Sequence, residues 1–142
     1  THLMKQILLN IKGVQEVEGQ RDTTEFLSSG TYFNDGENIV ITYDDSVSFG
    51  IEGVETKLTI TPKKSVTLMR NNGEFGTLII EEGKRHLCRY VTEFGDIMIG
   101  INGEKVVDEL NKNGFLKLQY SIDVNTGLLS RNEVEISIRE EK

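Results

Sequence analysis

Apolar and polar residues alternate along most of this chain. KQILLNIK places Ile7, Leu9 and Ile11 on one side, ENIVITY does the same with Ile39, Ile41 and Tyr43, and ETKLTIT with Leu58 and Ile60. FLKLQYSIDV sets Leu116, Leu118, Tyr120, Ile122 and Val124 against Lys117, Gln119, Ser121 and Asp123. RNEVEISIRE sets Val134, Ile136 and Ile138 against charged neighbours. A period of two is what a strand buried on one face produces. No window of a dozen residues shows a convincing helical period; the nearest, VVDELNKNG over residues 106–114, reads equally well as a strand and turn. Between the runs lie Asp35-Gly36, Asn72-Gly73, Glu82-Gly83, Asn102-Gly103, Asn113-Gly114 and Thr126-Gly127, and Asn-Gly and Asp-Gly favour tight hairpin turns.

The pattern predicts ten or eleven short strands in up-and-down order, and fourteen glycines with one proline agree with it. A flat sheet of that size leaves long exposed edges, which closure removes. The expected fold is therefore all-β, a single antiparallel up-and-down barrel. Two longer polar connections, VQEVEGQRDTTE (14–25) and DDSVSFGIEGVE (44–55), are expected as loops at a barrel mouth. No repeat or linker divides the chain, so residues 4–142 read as one domain. Residues 1–3 read as foreign to the natural chain, with Met4 as its start.

Taking the Asn72-Gly73 and Glu82-Gly83 turns as two-residue hairpins fixes a register for residues 64–95. It pairs Arg70 with Phe75, Leu68 with Thr77, Val66 with Ile79, Ile79 with His86, Thr77 with Cys88 and Phe75 with Tyr90. One face then carries Val66, Leu68, Arg70, Phe75, Thr77, Ile79, His86, Cys88, Tyr90 and Thr92, and this face is expected to be interior. A slip of one residue in either turn would exchange the faces. An arginine inside a barrel is costly unless paired or engaged by a ligand, which makes Arg70 the most informative residue.

Charge narrows the range of partners. The 142 residues hold 16 Lys and Arg against 23 Asp and Glu, a net charge of −7. Nucleic-acid binding depends on neutralising phosphates, and no basic cluster offers that. An anionic membrane surface is disfavoured for the same reason. No apolar run is long enough to span a bilayer as a helix, and the chain reads as cytoplasmic. Cys88 is the single cysteine, so no internal disulfide can form.

Candidate chemistry is sparse. His86 and Cys88 share a strand face, but a zinc site needs three or four ligands, and no metal or other cofactor is expected. Residues two apart on a strand lie roughly 6.5 Å apart along its axis, too far for a histidine to activate a thiol. No G-x-S-x-G, phosphate loop or dinucleotide fingerprint occurs. Asp123-x-Asn125-x-Gly127 is better read as a hairpin turn than as a calcium loop. The four tyrosines, Tyr32, Tyr43, Tyr90 and Tyr120, are the remaining lead, either as barrel filling or as a polar pocket with Arg70.

The run VTLMRNNGEFGTLIIEEGKRHLCRYVTEFGDIMIGI carries Arg70 before the turn glycine Gly73, an apolar strand ending at Gly83, and then Tyr90-x-Thr92-x-x-Gly95. Gly30-Thr31-Tyr32, Tyr43, Gly53 with Thr56, and Tyr120 within LQYSID follow the same order of elements. In these residues the chain resembles the YwiB-like family of uncharacterised bacterial proteins, over roughly residues 5–139. That resemblance implies a calycin-type (lipocalin-like) β-barrel, and no established activity comes with it. Glu93 stands where the family often has proline. The wider calycin group includes fatty-acid-binding proteins, which hold a carboxylate with interior arginine and tyrosine. The likeness here is one of type, through Arg70 and Tyr90.

The expected function is therefore non-enzymatic binding of a small amphipathic or anionic ligand inside the barrel. Arg70 would take the acidic end, Tyr90, Tyr43 and Tyr120 would line the cavity, and Phe75 and His86 share the interior face. One alternative is an interaction or homodimeric module whose barrel is filled by side chains. A less favoured one is a weak enzyme using Arg70, Tyr90 and His86 on an anionic substrate. A cavity of ligand size separates the first two.

Overall fold

A computed structural model describes residues 4–46, 53–62, 64–71, 74, 76–125 and 127–141. Among these residues the chain forms ten strands: β1 (Lys5–Val17), β2 (Gln20–Asn34), β3 (Ile39–Asp44), β4 (Glu55–Thr61), β5 (Ser65–Arg70), β6 (Thr77–Glu81), β7 (Arg85–Thr92), β8 (Gly95–Glu109), β9 (Phe115–Val124) and β10 (Gly127–Glu140). They make one antiparallel sheet in the order β6-β5-β4-β3-β2-β1-β10-β9-β8-β7. The sheet curls until β6 and β7 meet at an isolated bridge between Gly76 and Tyr90. The result is an all-β, nearly closed up-and-down barrel. Among the described residues no helix is long and apolar enough to cross a membrane.

The alternating positions fill the interior. Ile7, Leu9, Ile41, Leu58, Ile60, Val66, Ile80, Ile101, Leu116, Leu118 and Ile136 are buried and belong to one core cluster. Because successive side chains point to opposite faces, each ladder brings these positions side by side: Ile41 lies opposite Leu58, Ile60 opposite Val66, and Leu116 opposite Ile136.

Three expectations are corrected. Residues 14–25 are not a loop: β1 and β2 stay paired from Lys5↔Tyr32 to Val17↔Gln20, joined by Glu18 and Gly19 at φ +50 and +80. β3 accompanies β2 only over Gly30 to Asn34, so the far part of this hairpin has solvent on both faces and shows no apolar alternation. Asn102-Gly103 is not a turn but lies inside β8, with a register shift between Gly103 and Lys105. Gly103 is glycine because β6 crosses there, and a Cβ would collide with the Glu81 carbonyl.

The third correction is the register of 64–95. Val66 pairs with Ile80 and Leu68 with Leu78, one residue beyond the expected partners. Leu78 and Ile80 therefore face the core, and Thr77 and Ile79 do not. The connection after β5 is longer than two residues; Asn72, Gly73 and Phe75 themselves lie outside the described residues. Glu82-Gly83 does turn the chain, but β6 and β7 form no continuous ladder, and Gly76, not Phe75, lies opposite Tyr90. The two slips cancel, so Val66, Leu68 and Cys88 are interior as expected.

Candidate functional site

One row of the sheet gathers polar groups on the interior side. Gly30 is opposite Tyr43, Tyr43 opposite Thr56, and Thr56 opposite Arg70, across β2 to β5. Asp45 follows β3, its N–H donating to the Val54 carbonyl at 2.8 Å, and its side chain is buried at 2% exposure. The Thr56 hydroxyl donates to Asp45 Oδ2 at 2.6 Å, and Arg70 Nε approaches the same oxygen at 3.5 Å. Asp45 Oδ1, also buried, has no hydrogen-bond partner among the described residues. Leaving a buried acceptor without a donor costs about 1–3 kcal/mol, more when it is charged.

These groups border a cavity of about 90 Å³ at the end of the barrel where β2 parts from β3. Tyr120 reaches it from β9, Gly13 and Thr24 from β1 and β2, and Phe26, Leu118 and Val134 give it apolar walls. Thr24 is exposed, so the cavity opens toward solvent on that side. Burial and the Asp45 charge push the Tyr43 hydroxyl well above the usual tyrosine range, and burial raises Tyr120 as well. Both phenols therefore stay protonated at neutral pH and can donate as well as accept.

The structure thus brings together Arg70, Tyr43 and Tyr120 from the sequence-based set. Asp45 stood out in the sequence only as the second residue of the expected connection 44–55, and Gly13 only as a lone glycine where β1 continues the core parity of Ile7, Leu9 and Ile11. Tyr90 does not line this cavity; it sits at the β6–β7 junction, 38% exposed. His86 bonds Glu81 at 2.9 Å on the same junction. Phase-mate Cys88 accepts the Ile79 N–H at 3.4 Å, so its sulfur occupies a position a backbone carbonyl takes in a regular ladder. Burial raises the Cys88 thiol, which suits a packed group and not a nucleophile. Phe75 lies outside the described residues. Among the described residues no cluster of three His, Cys, Asp or Glu could hold a metal ion.

Two other regions draw notice. A hollow of about 460 Å³ lies on the outer face of β1, β2 and β10 between Leu8, Leu27 and Ser137. It is larger than the interior cavity but offers only small polar groups and Arg139 at its edge, so the convergent polar chemistry is inside. The β7–β8 hairpin carries exposed Leu87, Tyr90, Ile97 and Met98, with Phe94 at its turn 93% exposed.

The described residues thus form a nearly closed ten-stranded antiparallel barrel with a small polar cavity at one end. The chain belongs to the family described as Domain of unknown function (DUF1934), whose model matches residues 9–136. Its fold is similar to that in the crystal structure of ywiB protein from Bacillus subtilis: TM-score 0.82, 18% sequence identity, covering 98% of this chain and 94% of that one. At that identity the likeness concerns the fold. No curated protein matches the chain.

Proposed function

We propose that the protein is a binding barrel that holds a small polar molecule in the cavity bounded by Arg70, Asp45, Tyr43 and Tyr120. One observation carries this: among the described residues Asp45 Oδ1 is buried without a donor, beside a cavity that a guanidinium and two phenol groups also border. Buried polar atoms are satisfied in the great majority of structures, so an unsatisfied carboxylate oxygen facing space points to a missing donor. The reading differs from the amphipathic ligand expected from the sequence. The acid beside Arg70 is the chain's own Asp45, and about 90 Å³ is well below the roughly 300 Å³ where pockets for drug-sized ligands begin. Binding is favoured over turnover because both phenols are shifted away from neutral pH, and His86 and Cys88 are engaged elsewhere.

The test is native mass spectrometry of protein purified from its own host without refolding. A retained small molecule, lost on mild activation, is expected. Ligand-free protein whose melting temperature is unmoved by a library of small polar compounds overturns the reading.

A second reading, self-association, rests on the β7–β8 hairpin. Its exposed apolar residues are accompanied by Arg85 and Arg89 against Glu93 and Asp96, which cancel, while the whole chain carries −7. Two copies could meet there without the like-charge repulsion of the remaining surface. Sedimentation equilibrium decides: a dimer that Phe94→Ser converts to monomer supports this reading, and a monomeric wild type removes it.

A further inference from the structure

We infer that the cavity takes a neutral molecule with an amide-like head, a hydrogen-bond donor beside an acceptor, on a short aliphatic tail. This rests on reading the cavity as a ligand site.

Gly13 is the first support. β1 directs Ile7, Leu9 and Ile11 into the core, and residue 13 continues that parity. Glycine weakens a strand interior, and such a position normally carries a β-branched side chain. The backbone does not demand glycine here, since Gly13 is absent from the left-handed region, and a Cβ built on it meets nothing within 4 Å. No close crossing requires it either, unlike Gly103. What Gly13 provides is room, and the room adjoins the same cavity as Asp45. Its cross-strand neighbours Thr24 and Val134 border that cavity too.

Charge is the second support. Asp45 and Arg70 balance each other within the cavity. A bound anion would face Asp45, and a bound cation would face Arg70; in either case one buried charge is left over. A neutral guest avoids this. It must still donate, because Asp45 Oδ1 lacks a donor among the described residues. It should also accept, because the Tyr120 hydroxyl that borders the cavity is a donor. A primary amide meets both demands with adjacent atoms. The apolar walls from Phe26, Leu118 and Val134 accommodate its tail. The cavity of about 90 Å³ has room for about three waters at roughly 30 Å³ each, and because covalently joined heavy atoms pack closer than waters, the guest is limited to a handful of them.

Propionamide and propionate are isosteric, propylammonium is one heavy atom smaller on the same carbon chain length, and the three differ in charge. The full-length chain, labelled with nitrogen-15, is titrated with each, and the backbone amides of Gly13 and Thr24 are followed by NMR. Saturable millimolar binding of propionamide is expected, with the two ions weaker by about tenfold or more, equivalent to about 1.4 kcal/mol. Gly13→Val should fold and lose that binding; Gly13→Ala, a smaller change, should weaken it if the valine variant does not fold. Propionate binding tightest would overturn the amide assignment and leave the cavity an anion site, and propylammonium binding tightest would overturn it in favour of a cation site. If none of the three saturates and Gly13→Val only raises the melting temperature, the cavity is unfilled packing space. That outcome overturns both this inference and the binding function it rests on.

Discussion

Of the arginine–aspartate pairs among the described residues, two bury their aspartate, one outside the barrel and one inside. On the outer face Arg85 of β7 grips Asp123 of β9 with two hydrogen bonds, Nε at 3.0 Å and a terminal nitrogen at 2.6 Å. Asn102 of β8 adds a third at 2.9 Å, and Asp123 is only 5% exposed. Gly100 makes the space, since a Cβ there would run into the guanidinium. Inside, Arg70 approaches Asp45 through Nε at 3.5 Å, and Thr56 serves one carboxylate oxygen while the other has no partner among the described residues. In the outer pair a glycine admits the arginine and both carboxylate oxygens are used. In the inner pair a glycine admits nothing that belongs to the chain. The first arrangement is complete as a structural clamp across three strands. The second has the same chemical parts in a looser arrangement, with one carboxylate oxygen unserved among the described residues.

The comparison sets the order of expected effects. Asp123→Ala removes a buried, fully bonded carboxylate and strands Arg85 and Asn102, so stability to urea should fall by about 3 kcal/mol. A loss under about 1 kcal/mol would mean the outer pair is as loosely held as the inner one. Alkaline titration probes the inner region next. Tyr43 and Tyr120 have folded-state values above their unfolded ones, so the folded chain holds protons that the unfolded chain releases. Their contribution is complete below the ordinary tyrosine value near 10 and declines above it, by up to about 1.4 kcal/mol per pH unit for each tyrosine. Tyr43→Phe should flatten the decline in denaturation curves taken above that pH.

Asp45→Asn is expected to change stability by less than about 1 kcal/mol. The amide oxygen keeps the Thr56 bond, and relief of carboxylate desolvation offsets the loss of attraction to Arg70. A cost near that of Asp123→Ala, measured by the same urea titration, would show the inner pair to be a clamp as well. Phe94→Ser should be the mildest, within about 0.5 kcal/mol, because the ring lies outside both clusters and packs on little. Chemical denaturation at low protein concentration checks this apart from any association.

The architecture was legible because burial on one face writes itself into the sequence at period two, as in β9 and the later part of β10. It was illegible where that condition fails. Residues 14–25 have solvent on both faces, so their strands look like loop. Asn102-Gly103 looks like a turn because glycine serves close crossings as well as turns, and only the neighbouring β6 distinguishes the two. The site was legible in part for the same reason. Arg70, Tyr43 and Tyr120 stand at interior parity on strands whose alternation is strong. Asp45 lies just past a strand end, where parity no longer predicts direction, and Tyr90 sits at a junction held by one bridge, where neighbours do not follow from hairpin arithmetic.

That junction also says where the chain could be cut. β1 and β10, from opposite ends of the sequence, are zipped together, with Ile7 opposite Glu140 and the Glu141 N–H on the Gln6 carbonyl at 3.0 Å. Among the described residues the only strand neighbours not joined by a ladder, β6 and β7, are consecutive in the chain. A permuted gene that joins the β10 end to the β1 start through a short turn, and opens between exposed Gly83 and Lys84, would therefore retain every ladder. In that version each ladder is a local hairpin. The long-range β1–β10 ladder becomes local and only the single-bridge closure at β6 and β7 becomes long-range, so the rearranged barrel should refold faster than the natural one.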